Sequence, residues 1–270
     1  APAIEGQFGP DVSVGMIREA VMKLGFRDMY EVSLGADFVS KNEGQELLEH
    51  YEAGEKMTTS CCPAFVSLIK KHYPQVLKYM STTVSPMTAT GRLIKAMHPD
   101  AVCVFIGPCI AKKSEVIDSI TFGGADYAMT YEELASMFEA KNIDPEECTE
   151  TLQQGSKFGK QYSVSGGVTA AVLETFKEAN KEVDLKVKTC SGALECKKAL
   201  MLLKVGKLPE DFIEGMACVG GCVNGPAMLG KSRTFLKDRN GQIAKADDRG
   251  VLENVAQYDE YGINMTRNHQ

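Results

Sequence analysis

The chain has 270 residues, of which 44% are hydrophobic and 24% charged, enough to bury a sizeable core. Its net charge of −6 argues against a nucleic-acid binder, which presents a basic face. No apolar run approaches the roughly 20 residues that span a bilayer, and the start, Ala1-Pro2-Ala3-Ile4, lacks the pattern of a secretory leader, so a cytoplasmic fragment of a longer chain is expected. Val14, Ile17, Val21 and Leu24 recur at helical spacing and predict a helix over Val14–Leu24. A strand is expected at Met29–Leu34, an acidic helix at Asp37–Tyr51 and a helix at Ala64–Tyr79 behind Pro63. Pro86 suits the first turn of a helix over Pro86–Met97. Ala101–Ile106 is predicted as a buried strand and Tyr131–Ala140 as a helix. Gly166-Gly167 opens a helix through Lys177; Val183–Lys188 is a strand, Gly192–Leu203 a helix and Phe212–Met216 a strand. Ser232–Ala244 is expected to form a strand–turn–strand around Asn240-Gly241. Alternation of this kind predicts an α/β fold.

Nine cysteines, an odd number, do not suit a disulfide framework in a chain of this length, and Cys61-Cys62 are adjacent. Three segments gather cysteine beside Gly or Pro: Thr59-Ser60-Cys61-Cys62-Pro63, Gly107-Pro108-Cys109-Ile110-Ala111-Lys112-Lys113-Ser114-Glu115 and Met216-Ala217-Cys218-Val219-Gly220-Gly221-Cys222-Val223-Asn224-Gly225. Two of them follow predicted strands, and in open α/β sheets sites gather beyond the carboxyl ends of strands. Glycine lets backbone approach a bulky inorganic group, and thiolates from separate loops can close around a 4Fe–4S cubane. A lone cysteine in any loop is as readily a packed core residue. Structural zinc needs short Cys pairs, often with His; Cys218 and Cys222 match, but His50, His72, His98 and His269 show no ligand spacing.

Taken together, the three segments resemble the signature loops of FeFe-hydrogenases, and the similarity runs from Ala1-Pro2-Ala3 to about Gly225. Tyr162–Val168, with its Gly166-Gly167 helix opening, and Ser191-Gly192 leading into Lys197-Lys198-Ala199-Leu200 resemble two further segments of the family. The resemblance implies one catalytic domain over 1–270, with a less family-like segment at 231–270. It implies two lobes of mixed β-sheets flanked by helices, with the active site in the cleft between them. Cys62, Cys109, Cys218 and Cys222 would then ligate the cubane, and Cys222 would bridge to a di-iron unit carrying CO, cyanide and azadithiolate (together the H-cluster). Lys112 would donate to a cyanide, a charge-assisted bond. Ser85, Pro86, Met216, Pro108, Ala1 and Pro2 would line the same pocket, and Glu115 matches another glutamate of the family.

The resemblance assigns Cys61 as a proton relay rather than a ligand. Glu43 and Glu46, three apart, share a helix face and with Ser81 would complete a route to solvent in the order Cys61, Glu46, Ser81, Glu43. The implied activity is reversible oxidation of dihydrogen under anaerobic conditions. Its partners would be dihydrogen, protons, maturation proteins for the di-iron unit, and a ferredoxin or upstream iron–sulfur domain as electron carrier, because the chain has no second set of four clustered cysteines. Departures from the family pattern are Gly107 where Met is usual, Met87 for Gln, Phe65 for Trp, Asn224-Gly225-Pro226 for a longer glycine run, and His50 for an arginine that often supports the proton route. They mark a divergent subgroup. Cys103, Cys148, Cys190 and Cys196 match no ligand position. The alternatives are a low-turnover hydrogen sensor and a non-catalytic 4Fe–4S assembly scaffold of the hydrogenase-like family. A thiol–disulfide enzyme is disfavoured by the absence of Cys-x-x-Cys. Cys61 and Lys112 disfavour the scaffold, since a cubane alone needs neither.

Overall fold

Local rules place the first elements. Ser13 caps a helix over Val14–Lys23 (α1), its Oγ accepting from Met16 N. The structure, a computed structural model, describes residues 1–118, 122–149, 154–230 and 233–267. A long helix follows at Val32–Glu52 (α2), then a short strand at Met57–Thr58 (β1). Pro63 opens α3 (Pro63–His72), and Pro74 ends it by starting a 3-10 turn, which divides the single helix expected at Ala64–Tyr79. Ser85 caps α4 (Pro86–Met97) with Pro86 in its first turn. Next come β2 (Val104–Gly107), α5 (Ala111–Glu115), β3 (Tyr127–Thr130) and α6 (Tyr131–Ala140), the last opened by a Thr130/Glu133 capping box. The chain continues through α7 (Lys157–Gln161), α8 (Gly167–Glu178), β4 (Val187–Ser191), α9 (Ala193–Lys204), β5 (Phe212–Met216), α10 (Arg233–Ala244) and α11 (Val251–Ala256).

Two small parallel sheets organise these elements. One runs β1-β5-β4, with Met57 paired to Phe212 and Val187 also to Phe212; the other pairs β2 with β3, Val104 against Tyr127. The α/β class holds, and among the described residues antiparallel pairing is confined to the isolated bridges Thr83–Thr266 and Val164–Gly221. Separate cores back the two sheets. Ile17, Tyr131, Leu134 and Phe138 fill one, and Phe65, Ile69, Leu200 and Ile213 the other. Between them, Leu34, Val39, Leu93 and Val168 form a third core where α2, α4 and α8 meet. Gly35 makes the closest of these approaches, since a Cβ there would lie 2.4 Å from Pro86 O on α4. No helix among the described residues is long and apolar enough to cross a membrane.

Three expectations are corrected. Met29–Leu34 is not a strand: α2 begins at Val32, and Leu34 turns into the central core as part of a helical face. Ser232–Ala244 is not a hairpin: from Arg233 it is helical, with Phe235, Arg239, Gln242 and Ile243 buried at helical spacing, and that face overrides the Asn240-Gly241 turn signal. Ser232 itself lies outside the described residues, as does His269. The strand expected at Val183–Lys188 starts four residues later and ends three later, at Val187–Ser191.

Candidate metal centre

The four proposed ligands come from the C-terminal ends of both sheets. Cys62 is the N-cap of α3, Cys109 follows β2, Cys218 follows β5, and Cys222 opens the 3-10 turn after it. Backbone bonds fasten the loops together: Ala227 N donates to Pro108 O (3.2 Å), Val223 N to Ser163 O (3.2 Å) and Gly192 N to Met216 O (2.7 Å). Gly220 and Gly221 have φ of 80° and 97°, and a Cβ on Gly221 would lie 2.5 Å from Ser163 O, so the third loop can turn there only with glycine.

All nine cysteines are free thiols. Cys62, Cys109, Cys218 and Cys222 are each half-buried, whereas Cys103, Cys148, Cys190 and Cys196 are buried in packing positions. Burial raises the Cys222 thiol most, and the charges of Cys62, Cys109 and Cys218 raise it further. Four thiolates here would repel one another unless cations stood among them. That donor set suits iron–sulfur chemistry, in which metal holds thiolates in the ionised form. Among the described residues, no three His, Cys, Asp or Glu side chains converge on one point as ligands of a single ion would. A cubane makes no such demand, since each of its irons takes its own thiolate.

Around this centre lie the other expected residues. Lys112, 8% exposed, donates to Glu115 Oε2 (2.6 Å) and to Cys61 O (3.4 Å), two of the three donors its ammonium carries. Ser85 is committed as a helix cap, accepting from Thr88 N at 3.5 Å, and Pro86 O accepts from Thr90 Oγ1 at 2.8 Å. Met216 ends β5, buried, and its carbonyl accepts from Cys196 Sγ. Ala1 O accepts from Tyr131 Oη, and Pro2 O from Ser163 Oγ and Arg239 Nη2. A cleft of about 760 Å³ is lined by Ala1, Pro2, Met87, Phe105, Glu31 and His98 among others, and none of the four proposed ligand cysteines lines it. Phe105 accounts for Gly107: a Cβ on Gly107 would lie 2.6 Å from the Phe105 ring, which fills the space a larger side chain would take.

Cys61 is buried, and burial followed by the Glu43 charge raises its thiol well above the ordinary range. Glu43 is fully buried and accepts from Ser60 N (3.3 Å), in the loop that carries Cys61. Burial and the charge of Glu46 push its carboxyl up to about 8, against donors from Ser60 and Ser81 and the charge of Arg267. Ser81 Oγ donates to Glu46 Oε2 (2.7 Å), and Thr82 N donates to Glu46 Oε1 (2.7 Å). The buried carboxylate at Cys61 is therefore Glu43, and the half-buried outer one is Glu46, so the expected order is inverted: Cys61, Glu43, Ser81, Glu46. The inner member of an i,i+3 pair is decided by which helix face packs, and spacing does not tell that. Reading the sequence also missed Thr83, whose Oγ1 donates to Glu46 Oε2 at 3.1 Å, and Arg267. His50 Nδ1 lies 3.2 Å from Glu55.

Residues 1–226 match the profile of the iron-only hydrogenase large subunit, C-terminal domain. The periplasmic Fe hydrogenase large subunit of Nitratidesulfovibrio vulgaris is 31% identical, over 85% of this chain and 68% of that one. Iron hydrogenase 1 of Clostridium pasteurianum is 28% identical over 97% of this chain, which spans 52% of that relative's length. A cytosolic Fe–S cluster assembly factor of Danio rerio, narfl, is 25% identical over 88% of this chain and 72% of its own. In fold, the chain is similar to FeFe-hydrogenase HydA1 of Chlamydomonas reinhardtii, with a TM-score of 0.77, 22% identity, and coverage of 99% of this chain and 92% of the other. The chain belongs to the family of the iron-only hydrogenase large subunit, C-terminal domain.

Proposed function

We propose that the chain catalyses the reversible oxidation of dihydrogen at an H-cluster held by Cys62, Cys109, Cys218 and Cys222. When bound, that group would supply the electron transfer and the metal site at which dihydrogen is split or formed. The protein residues hold it and move protons. Lys112, oriented by Glu115 at 2.6 Å, would present a cation to the anionic ligands of the di-iron unit. Met216, Ser85, Pro86, Pro108, Ala1 and Pro2 would shield it. The high Cys61 pKa keeps the side chain a thiol, which can pass a proton without becoming a ligand. Glu43, with its carboxyl pushed up to about 8, gains and loses a proton near neutral pH. Ser81 and Glu46 carry the proton outward through the 2.7 Å bond between them.

The observation that carries this reading is the buried carboxylate Glu43 at the Cys61 loop, connected through Ser81 to a half-buried second carboxylate. A protein that only held a cubane would gain nothing from such a route, and a fully buried carboxylate is costly. The similarity to an Fe–S assembly factor supports a second reading, a cubane-bearing scaffold. Infrared spectra of anaerobically matured protein decide between them. CO and cyanide bands with hydrogen turnover support the enzyme, and bands with very slow turnover support a sensor. A loaded cubane without bands, under a maturation system proven on a control, supports the scaffold. Electrons would enter from an upstream iron–sulfur domain or a ferredoxin-type carrier.

A further inference from the structure

The residues that follow α11 form a strap across the proposed proton route. Val84 N donates to Met265 O (2.8 Å) and Arg267 N to Thr82 O (2.7 Å), with Thr266 bridged to Thr83. From α4, Arg92 Nη1 donates to Asn264 O (2.6 Å) and Thr266 O (3.0 Å), fixing the strap from its outer side. The strap delivers Arg267 inward, where the side chain is 5% exposed. Its Nε donates to Thr83 O (2.9 Å) and its Nη2 to Ser60 O (2.5 Å). Ser60 Oγ donates to the same Thr83 carbonyl at 2.6 Å.

We propose that Arg267 is a positioning residue of the proton route: its single guanidinium ties the Cys61 loop to the Ser81–Thr83 segment and sets a fixed positive charge against the Glu43–Glu46 pair. The proposal rests on the reading that protons travel through Glu43. Two physical facts favour it over a packing role. A guanidinium is always charged, and among the described residues Arg267 makes no ion pair, so a desolvated cation is balanced here only by carbonyl dipoles and by the nearby carboxylates. Further, both carbonyls it holds belong to the residues that frame the route: Ser60 N donates to Glu43, and Thr83 Oγ1 to Glu46. The charged and titratable groups facing Glu43 are Glu46 of α2, Cys61 of the first loop, Tyr162 after α7, and Arg267. Among the described residues, Arg267 is the one cation of this group. It lowers the proton affinity of Glu43 and makes the carboxylate easier to form in a fully buried position.

The test uses R267Q and R267K in the full chain, matured and unmatured. Infrared titration of unmatured protein follows the protonated carboxyl of Glu43, assigned by its loss in E43Q. In R267Q the midpoint rises by about one unit, and in R267K it stays at the wild-type value because the charge is kept. Amide exchange at Ser60–Cys61 and Thr82–Val84 accelerates in both variants, because lysine lacks the fork that holds two carbonyls. A midpoint unmoved in folded R267Q overturns the proposal. Should R267Q not accumulate folded, unchanged exchange at both segments of R267K overturns it, and faster exchange at both supports it. In matured protein, R267Q shifts the pH profile of turnover upward with the midpoint. A shifted midpoint with a fixed profile removes Glu43 from the route and overturns the positioning role. Absence of turnover in matured wild type defeats the hydrogenase reading alone, and the titration still decides the placement of Arg267.

Discussion

Cys61 and Cys62 adjoin in sequence, yet the structure gives them different surroundings. Cys62 caps α3 at the half-buried centre; Cys61 points into the apolar core that contains Leu34 and Val84, beside a buried carboxylate. Their substitutions therefore part company. Cys62→Ser is expected to lower iron and acid-labile sulfide content, since one of the four proposed ligands is lost. Cys61→Ala leaves the cluster spectrum intact and reduces turnover by roughly 10²-fold or more, the usual worth of a positioned proton carrier; unreduced turnover would remove Cys61 from the mechanism. In the proposed reaction Glu43 sets the pH dependence. Hydrogen oxidation needs its ionised form as acceptor, so that rate rises as pH passes about 8, while hydrogen evolution needs the protonated form and falls over the same interval. Steady-state profiles in both directions check this. Stability carries the same signature. Folded Glu43 keeps its proton from about its ordinary 4.5 up to about 8 while the unfolded chain has lost it, so the contribution of Glu43 to stability falls across that window as pH rises. E43Q flattens the fall, a change read from unfolding midpoints at several pH values.

At the scale of elements, helix α10, where a hairpin was expected, offers a direct discrimination. Gly241 sits inside it with open space where a methyl group would stand, nothing lying within 4 Å. Gly241→Ala should raise the thermal midpoint, by about 0.5–1 kcal/mol of stability, because alanine costs the unfolded chain less freedom to enter a helix. In the hairpin expected from Asn240-Gly241, the same change would harm a turn that needs positive φ. Gly221→Ala has the opposite sign: its φ of 97° and the 2.5 Å approach to Ser163 O predict a loss of about 1–3 kcal/mol and poorer cluster retention. The contrast between these glycines marks what was legible in the sequence. The three cysteine-bearing loops could be picked out because cluster chemistry needs thiols beside flexible loop residues, with Cys62, Cys109, Cys218 and Cys222 assigned within them by the family resemblance, and α1, α4 and α6 could be placed because caps and periodicity are local. The start of α2, the strand β3 and the fold of α10 depend on partners distant in the chain. So do Phe105 over Gly107 and Arg267 in the route: each is unremarkable beside its sequence neighbours and takes its meaning from tertiary packing.

Across the whole molecule, buried charge joins parts that local pattern treats as separate. Glu5 from the N-terminal segment, Glu31 at the head of α2, Lys160 of α7 and Arg239 of α10 are all buried. Lys160 Nζ lies 2.5 Å from Glu31 Oε2 and 3.6 Å from Glu5 Oε1. Arg239 Nη2 donates to Lys160 O (2.6 Å), Ser163 Oγ (2.9 Å) and Pro2 O (3.1 Å). Two cations face two carboxylates, so the group is neutral, and its hold on Ser163 extends to Val223, next to the proposed ligand Cys222. Such a cluster adds little net stability when intact but is expensive to unbalance. Arg239→Met, which keeps volume and removes the cation, is expected to lower the unfolding free energy by about 3 kcal/mol. The loss should appear as a shifted denaturant midpoint at constant slope. Adding Glu5→Gln to it restores charge balance and should return part of the loss, a coupling that independent sites would not show. The double variant decides the matter. Recovery means that the charges of the N-terminal segment and α10 act as one unit behind the centre. Strictly additive losses would mean that Arg239 acts only through the three acceptors it holds, and that α10 steadies the third loop by hydrogen bonding alone.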